Sequence, residues 1–201
     1  MKKAEQLKAT RTALLQAARE LFTERGYADT GTEDIVQRAG VTRGALYYQF
    51  RDKPSLFRTV VEDINLNIST QILSAVQANQ GEETGDLWDQ IVRASVEAYL
   101  DACLDPAIQR IVIFEASSVL GWEERSDIDR KYGLDLIRGS LQELMSAGLI
   151  APQPVEPLTH LVLGLATEAA TYIAHADDIP TARKEMRACL ERLYNGLRVK
   201  G

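Results

Sequence analysis

An all-α fold is predicted by three observations. Apolar residues recur at intervals of three and four along almost the whole chain, strict alternation over five or more residues is absent, and glycine and proline fall where the periodic stretches end. The pattern divides into an N-terminal three-helix head, a long fourth helix leading out of it, and a C-terminal helical bundle, with the domain boundary placed between 1–60 and 61–201.

Each element has its own local reason. Leu14, Ala18, Leu21 and Phe22 give the first helix one apolar face, and Gly26 ends it with the residue that tolerates a left-handed terminus. Thr32 offers a capping hydroxyl, and Glu33 and Asp34 place carboxylates in the turn where the helix dipole favours negative charge, so a second helix starts there. Ile35, Val36 and Ala39 face inward, and Gly40 stops it. Thr42 caps a third helix whose inward residues, Leu46 and Phe50, lie one turn apart. Asp52 caps a fourth, with Pro54 in its first turn. Phe57, Val60, Val61, Ile64, Ile68, Ile72 and Val76 hold its period up to a polar stretch at 79–85. Further helices are expected over about 87–104, from Pro106 behind an Asp105 cap to about 118, over 122–147 as a broken or long helix, and over 157–175 and 180–199, with a proline-rich connector at 148–157.

The chain has 201 residues, 45% of them hydrophobic, enough for a substantial core. Its net charge of −6 by itself argues against a nucleic-acid binder. That average conceals an asymmetry: 11 basic against 7 acidic side chains up to residue 60, a balance of +4, and 12 against 22 beyond it, a balance of −10. A basic recognition head on an acidic body fits this distribution. The opening MKKAEQLKAT is not followed by the apolar stretch of a secretory signal. The longest apolar run, 158–174, is interrupted by His160 and Glu168 and is too short for a bilayer span, so a cytoplasmic protein with no membrane contact is expected. Cys103 and Cys189 both sit in apolar helical patterns and read as buried small hydrophobes.

The second and third helices, joined by a turn containing Gly40 and braced by the first, form a helix-turn-helix pattern. With Leu46 and Phe50 inward, Gly44, Ala45 and Tyr48 point the opposite way and Tyr47 and Gln49 flank them. Arg43 stands at the start of the third helix, where recognition residues reach base edges and a guanidinium pairs bidentately with guanine. Small Gly44 and Ala45 allow close approach. Glycine inside so short a helix costs on the order of 1 kcal/mol against alanine. Tyr47 and Tyr48 form an exposed aromatic pair suited to phosphates and sugars.

The stretch TGTEDIVQRAGVTRGALYYQFRDKPSLF, residues 30–57, resembles the helix-turn-helix signature of the tetracycline-repressor (TetR) family of bacterial transcriptional regulators, and the likeness extends over about 10–61. It implies that Arg43, Gly44 and Ala45 face base edges while Thr32, Tyr47, Gln49 and Lys53 contact phosphates. Thr42 and Tyr48 complete the DNA-facing set. Lys53 also makes sense chemically as a cation just inside the fourth helix, beside backbone N–H groups. The family usually carries histidine where this chain has Gln49, whose amide donates without charge and so weakens that contact.

For the body the resemblance is looser, and 148–178 is similar to the connector and dimerising helix of one subgroup. It implies a homodimer with a pocket for an unidentified small-molecule ligand. Leu161, Gly164, Leu165 and Ala169 on one helix and Met186, Leu190, Leu193 and Leu197 on the next would pair across a two-fold axis as a four-helix bundle. Two heads so related read a near-palindromic double-stranded operator with half-sites roughly 34 to 36 Å apart. Pocket candidates are Trp88, Tyr99, Phe114, Glu115, Trp122, Tyr132, His160 and Tyr172, although aromatic residues in a bundle are mostly packing. No cofactor loop, no metal set and no nucleophile with a base at workable spacing is present, which disfavours a helical-bundle enzyme or carrier. The reading is a DNA-binding transcriptional regulator, a repressor released by a ligand. The alternative is a DNA-anchored regulator whose body recruits a protein partner and takes no small molecule.

Overall fold

The computed structural model describes residues 2–79 and 86–199. Past Asn79, the expected polar connector lies outside them. Among the described residues the chain is helical, with one isolated bridge between Ile150 and Arg198. The first four helices are α1 (Lys2–Arg25), α2 (Thr32–Ala39), α3 (Arg43–Gln49) and α4 (Lys53–Asn79). Then come α5 (Ala94–Ala102), α6 (Ala116–Asp129), α7 (Asp135–Ser146), α8 (Val155–Ala174) and α9 (Ile179–Asn195). π-helical stretches at Asp89–Arg93, Ile108–Glu115 and Arg130–Leu134 lead directly into α5, α6 and α7. α6 is broken at Gly121, whose φ of 78° and ψ of 171° are not helical, in keeping with the expected interruption near 118–122.

The described residues form two compact units. One comprises those up to Ile64 together with Pro106–Arg125; the other comprises Asn65–Asp105 together with those from Ser126 onward. Pro106–Arg125, expected within the second domain, packs in the first compact unit. The physical reason is its apolar face: Ile108, Ile111, Val112 and Ala116 are buried, and the π-helical stretch packs on α1.

In the first unit Phe22 and Phe57 are fully buried with their rings edge to face at 5.2 Å, and Tyr27 also meets Phe57 edge to face, at 4.9 Å. Full burial of such a side chain stabilises by about 1.5–3 kcal/mol. Gly26 and Gly40 end α1 and α2 at φ of 84° and 65°, as their positions predict. The core of the second unit gathers Trp88, Leu100, Leu144, Ile173, Leu190 and Tyr194. Cys103 of the same unit is buried and desolvation pushes its thiol up to about 12, whereas Cys189 is exposed, against expectation. Cys189 lies on the face of α9 that its own unit leaves uncovered.

A candidate nucleic-acid interface

Two caps aim the recognition helix. Thr42 is extended, at φ −84° and ψ 155°, and its Oγ1 accepts from the Ala45 N–H at 3.2 Å, as expected of an N-cap. At the far end, the Ser55 N–H donates to Asp52 Oδ1 at 2.8 Å and the Asp52 N–H donates to Ser55 Oγ at 3.1 Å. That reciprocal pair starts α4, and its Ser55 N–H, followed by the Arg51 guanidinium, holds the Asp52 carboxyl below its ordinary range. The cap of α2 differs from expectation. Gly31 takes it, with its N–H donating to Asp34 Oδ2 at 2.9 Å, and Thr32 is the first helical residue. Asp34 reaches back three residues, so the helix begins after Gly31 and the Thr32 hydroxyl is not needed.

On α3, Leu46 and Phe50 are buried and Thr42, Arg43, Gly44, Tyr47 and Tyr48 are exposed, Tyr48 to 71%. Ala45 is half-buried. A Cβ built on Gly44 would meet nothing closer than Thr42 Oγ1 at 3.9 Å. Nothing within the chain therefore requires glycine there. Arg43 Nη1 pairs with Glu33 of α2 at 2.8 Å, both side chains about two-thirds exposed, and its guanidinium lies 5.6 Å from the Tyr47 ring. An exposed pair of this kind is worth roughly 0–1 kcal/mol, so a guanine edge can displace the carboxylate.

Two residues of the expected phosphate set are engaged within the head. Gln49 Nε2 donates to the Leu7 carbonyl at 3.0 Å, tying the end of α3 to α1. Lys53 Nζ donates to the carbonyls of Tyr27 at 2.7 Å and Thr30 at 2.8 Å and sits 4.1 Å from the centre of the Tyr27 ring. Partial burial lowers its pKa, opposed by the charges of Asp29 and Glu115. The turn it grips is held again by the buried Thr30, whose Oγ1 donates to the Gly26 carbonyl at 2.7 Å.

Glu115, expected to face a ligand, braces the same turn. Its Oε2 accepts from the Tyr27 N–H at 2.9 Å, and its Oε1 pairs with Arg110 Nε at 3.3 Å. Arg110 Nη2 in turn donates to the Arg25 carbonyl at 3.0 Å. Sequence spacing gave no sign of this contact, because 88 residues separate the partners. Of the other pocket candidates, Phe114 and Trp122 in the first unit are exposed, Trp122 to 81%. In the second unit Trp88 is a core residue, Tyr99 and Tyr132 are half-buried, and His160 and Tyr172 are exposed.

The expected dimer residues also divide. Leu161, Gly164 and Leu165 on α8 and Leu193 on α9 are exposed, Leu161 to 66% and Leu193 to 54%. Ala169 and Leu190 are buried in the core of their own unit, and Met186 packs half-buried against it. Leu197 lies past the end of α9 at Asn195 and is half-buried against the same core. The expected helical stripe therefore mixed two faces, one turned inward and one outward. Among the described residues no helix is long and apolar enough to cross a membrane.

Comparison with known proteins covers both units. Residues 14–60 match the family described as bacterial regulatory proteins, tetR family, and residues 88–197 match the tetracyclin repressor-like C-terminal domain. A crystal structure of a TetR-family transcriptional regulator from Pectobacterium atrosepticum is 36% identical, covers 98% of this chain and 97% of that one, and superposes with a TM-score of 0.82. The transposon Tn10 TetC protein of Escherichia coli is 26% identical over 192 residues, 96% of this chain and 92% of that protein. The transcriptional regulator TtgR of Pseudomonas putida is 28% identical over 107 residues, and the match spans about half of either chain, 53% and 49%.

Proposed function

The chain belongs to the TetR family of bacterial transcriptional regulators, and from that premise we propose that it is a repressor that binds a near-palindromic operator as a homodimer and leaves it when a small molecule enters its C-terminal domain. The observation that carries the DNA reading is the outer face of α3. It combines a cation at the start of the helix, two small residues behind it and two exposed tyrosines, all set by the Thr42 cap. Arg43 has the donors for a guanine edge, Gly44 leaves room for close approach, and the tyrosine hydroxyls suit phosphate oxygens.

The exposed apolar face of α8 and α9 supports the homodimer. Leu161, Gly164, Leu165 and Leu193 lie on helices that pack together, and an isologous pairing of two such faces makes a four-helix bundle. A ligand releases DNA only through a difference in its affinity for the DNA-binding and non-binding arrangements of the heads. A hundredfold loss of operator affinity requires about 2.7 kcal/mol of such coupling. The lever for it is α4, which begins beside α3 and continues for 27 residues.

Selection of DNA from a random pool tests this reading. The expected product is a two-fold-related pair of half-sites about 34–36 Å apart, bound with a steep salt dependence. Arg43→Ala is expected to narrow the gap between operator and random DNA by about 1–3 kcal/mol per half-site while leaving random-DNA affinity nearly unchanged. Selection that yields no preferred sequence defeats the proposal.

A further inference from the structure

Among the cations of the head whose side chains are described, two stand apart. Arg25 pairs with Asp34, Arg38 with Glu20 and Glu24, Arg43 with Glu33, Arg51 with Asp52, and Arg58 with Glu62 and Glu124. Arg19 is likewise engaged, Lys53 is spent on two carbonyls, and Arg11 lies 4.6 Å from the centre of the Phe50 ring. Lys3 and Lys8 remain, both exposed and neither ion-paired with another described residue. A guanidinium already held by a carboxylate must loosen that pair to take a phosphate. Lys3 and Lys8 have no such cost.

Their placement is as informative as their freedom. Lys3, Leu7 and Arg11 follow one another at i, i+4 and i+8 and so share a face of α1. That face is moored twice to the end of α3: Gln49 Nε2 holds the Leu7 carbonyl at 3.0 Å, and Phe50 lies under Arg11. Lys3 continues the same face one turn, about 6 Å, beyond the mooring, and Lys8 flanks it. Their positions thus depend on the residues that end the recognition helix.

We propose that the opening turns of α1 form a second DNA-contacting surface, in which Lys3 and Lys8 hold backbone phosphates beside the groove that α3 enters. This rests on the reading of α3 given above. The two ammonium groups carry it, and because phosphates are the same at every step the contact adds affinity and orientation without sequence preference. Gln49 becomes a positioning residue: its uncharged amide orients α1, and the charge for the backbone contact comes from the lysines it places.

The test compares the full-length protein with its Lys3→Gln, Lys8→Gln variant on a fragment selected by the wild type, from 50 to 300 mM salt. Two lost phosphate contacts in each of the two heads are expected to make the slope of log K against log salt shallower by about 3.6 and to weaken binding on the order of 4,000-fold at 0.1 M salt. The ratio of selected to random DNA stays within about twofold. Because both side chains are exposed, the unfolding midpoint stays at the wild-type value. An unchanged slope, or a lost preference at an unchanged slope, overturns the proposal. A wild-type protein that selects no fragment removes the reading of α3 as well, whereas selection by the wild type with an unchanged slope in the variant removes only the surface on α1.

Discussion

Lys53 shows how one side chain can satisfy two chemical readings. A cation at the start of a helix suits a phosphate, and the sequence gives no sign of the Tyr27 and Thr30 carbonyls that take its ammonium, 26 and 23 residues away. The Lys53→Met variant keeps the apolar stem and removes the donors. Leaving two part-buried carbonyls without their charged partner is expected to lower stability by about 1–3 kcal/mol, read as a lower urea midpoint, with the salt slope of DNA binding intact. A slope shallower by about 1.8, one contact in each head, at wild-type stability would place the ammonium on a phosphate instead. Arg43, Gly44, Tyr47 and Tyr48 were legible from sequence because their exposure follows from helical periodicity alone.

At the scale of elements, caps and stops were readable because they act over three or four residues. Thr42, Asp52, Gly26 and Gly40 behave as their types predict, and Gly31 displaces Thr32 only because Asp34 folds back onto it. The π-helical stretches were not readable, since one extra residue per turn leaves no mark in an apolar pattern. The turn after α1 joins the two kinds of information. Gly26 needs its positive φ, and a Cβ there would also overlap Glu115 Oε1 and come 2.6 Å from Arg110 Nη2. Gly26→Ala is therefore expected to cost more than the roughly 1–2 kcal/mol of left-handed strain. Replacing Glu115 and Arg110 together by Ala in the same chain should recover the excess, and a thermal-unfolding cycle over the four proteins measures that coupling. Strict additivity would mean that the clamp does not press on the turn.

For the whole molecule the informative quantity is where charge and apolar surface lie. The −6 average hid a basic head, and within that head most described cations are already paired, so on the function proposed above operator affinity would fall to a few groups without a carboxylate partner and to dimerisation. Leu161→Glu with Leu193→Glu places charges on the uncovered face of α8 and α9 without touching the core. The expected result is a particle of half the wild-type mass in sedimentation, with a folded spectrum. Operator affinity should fall on the order of 100-fold or more, because the second head no longer binds as an intramolecular event. Cys189, on the same face, should react with a thiol reagent faster in that variant, while buried Cys103 stays protected. An undiminished mass would move the dimer contact elsewhere.

The sequence by itself determined the helices, their stops, the helix-turn-helix with its outward face, and the family, because each follows from contacts a few residues apart or from a dense local motif. Only the tertiary structure decided that Pro106–Arg125 packs in the first compact unit, that Glu115 and Lys53 clamp one turn, and that Ala169 and Leu190 face inward while Leu161 and Leu193 face out. Those outcomes depend on partners tens of residues away, and helical periodicity fixes which residues share a face without fixing what that face meets.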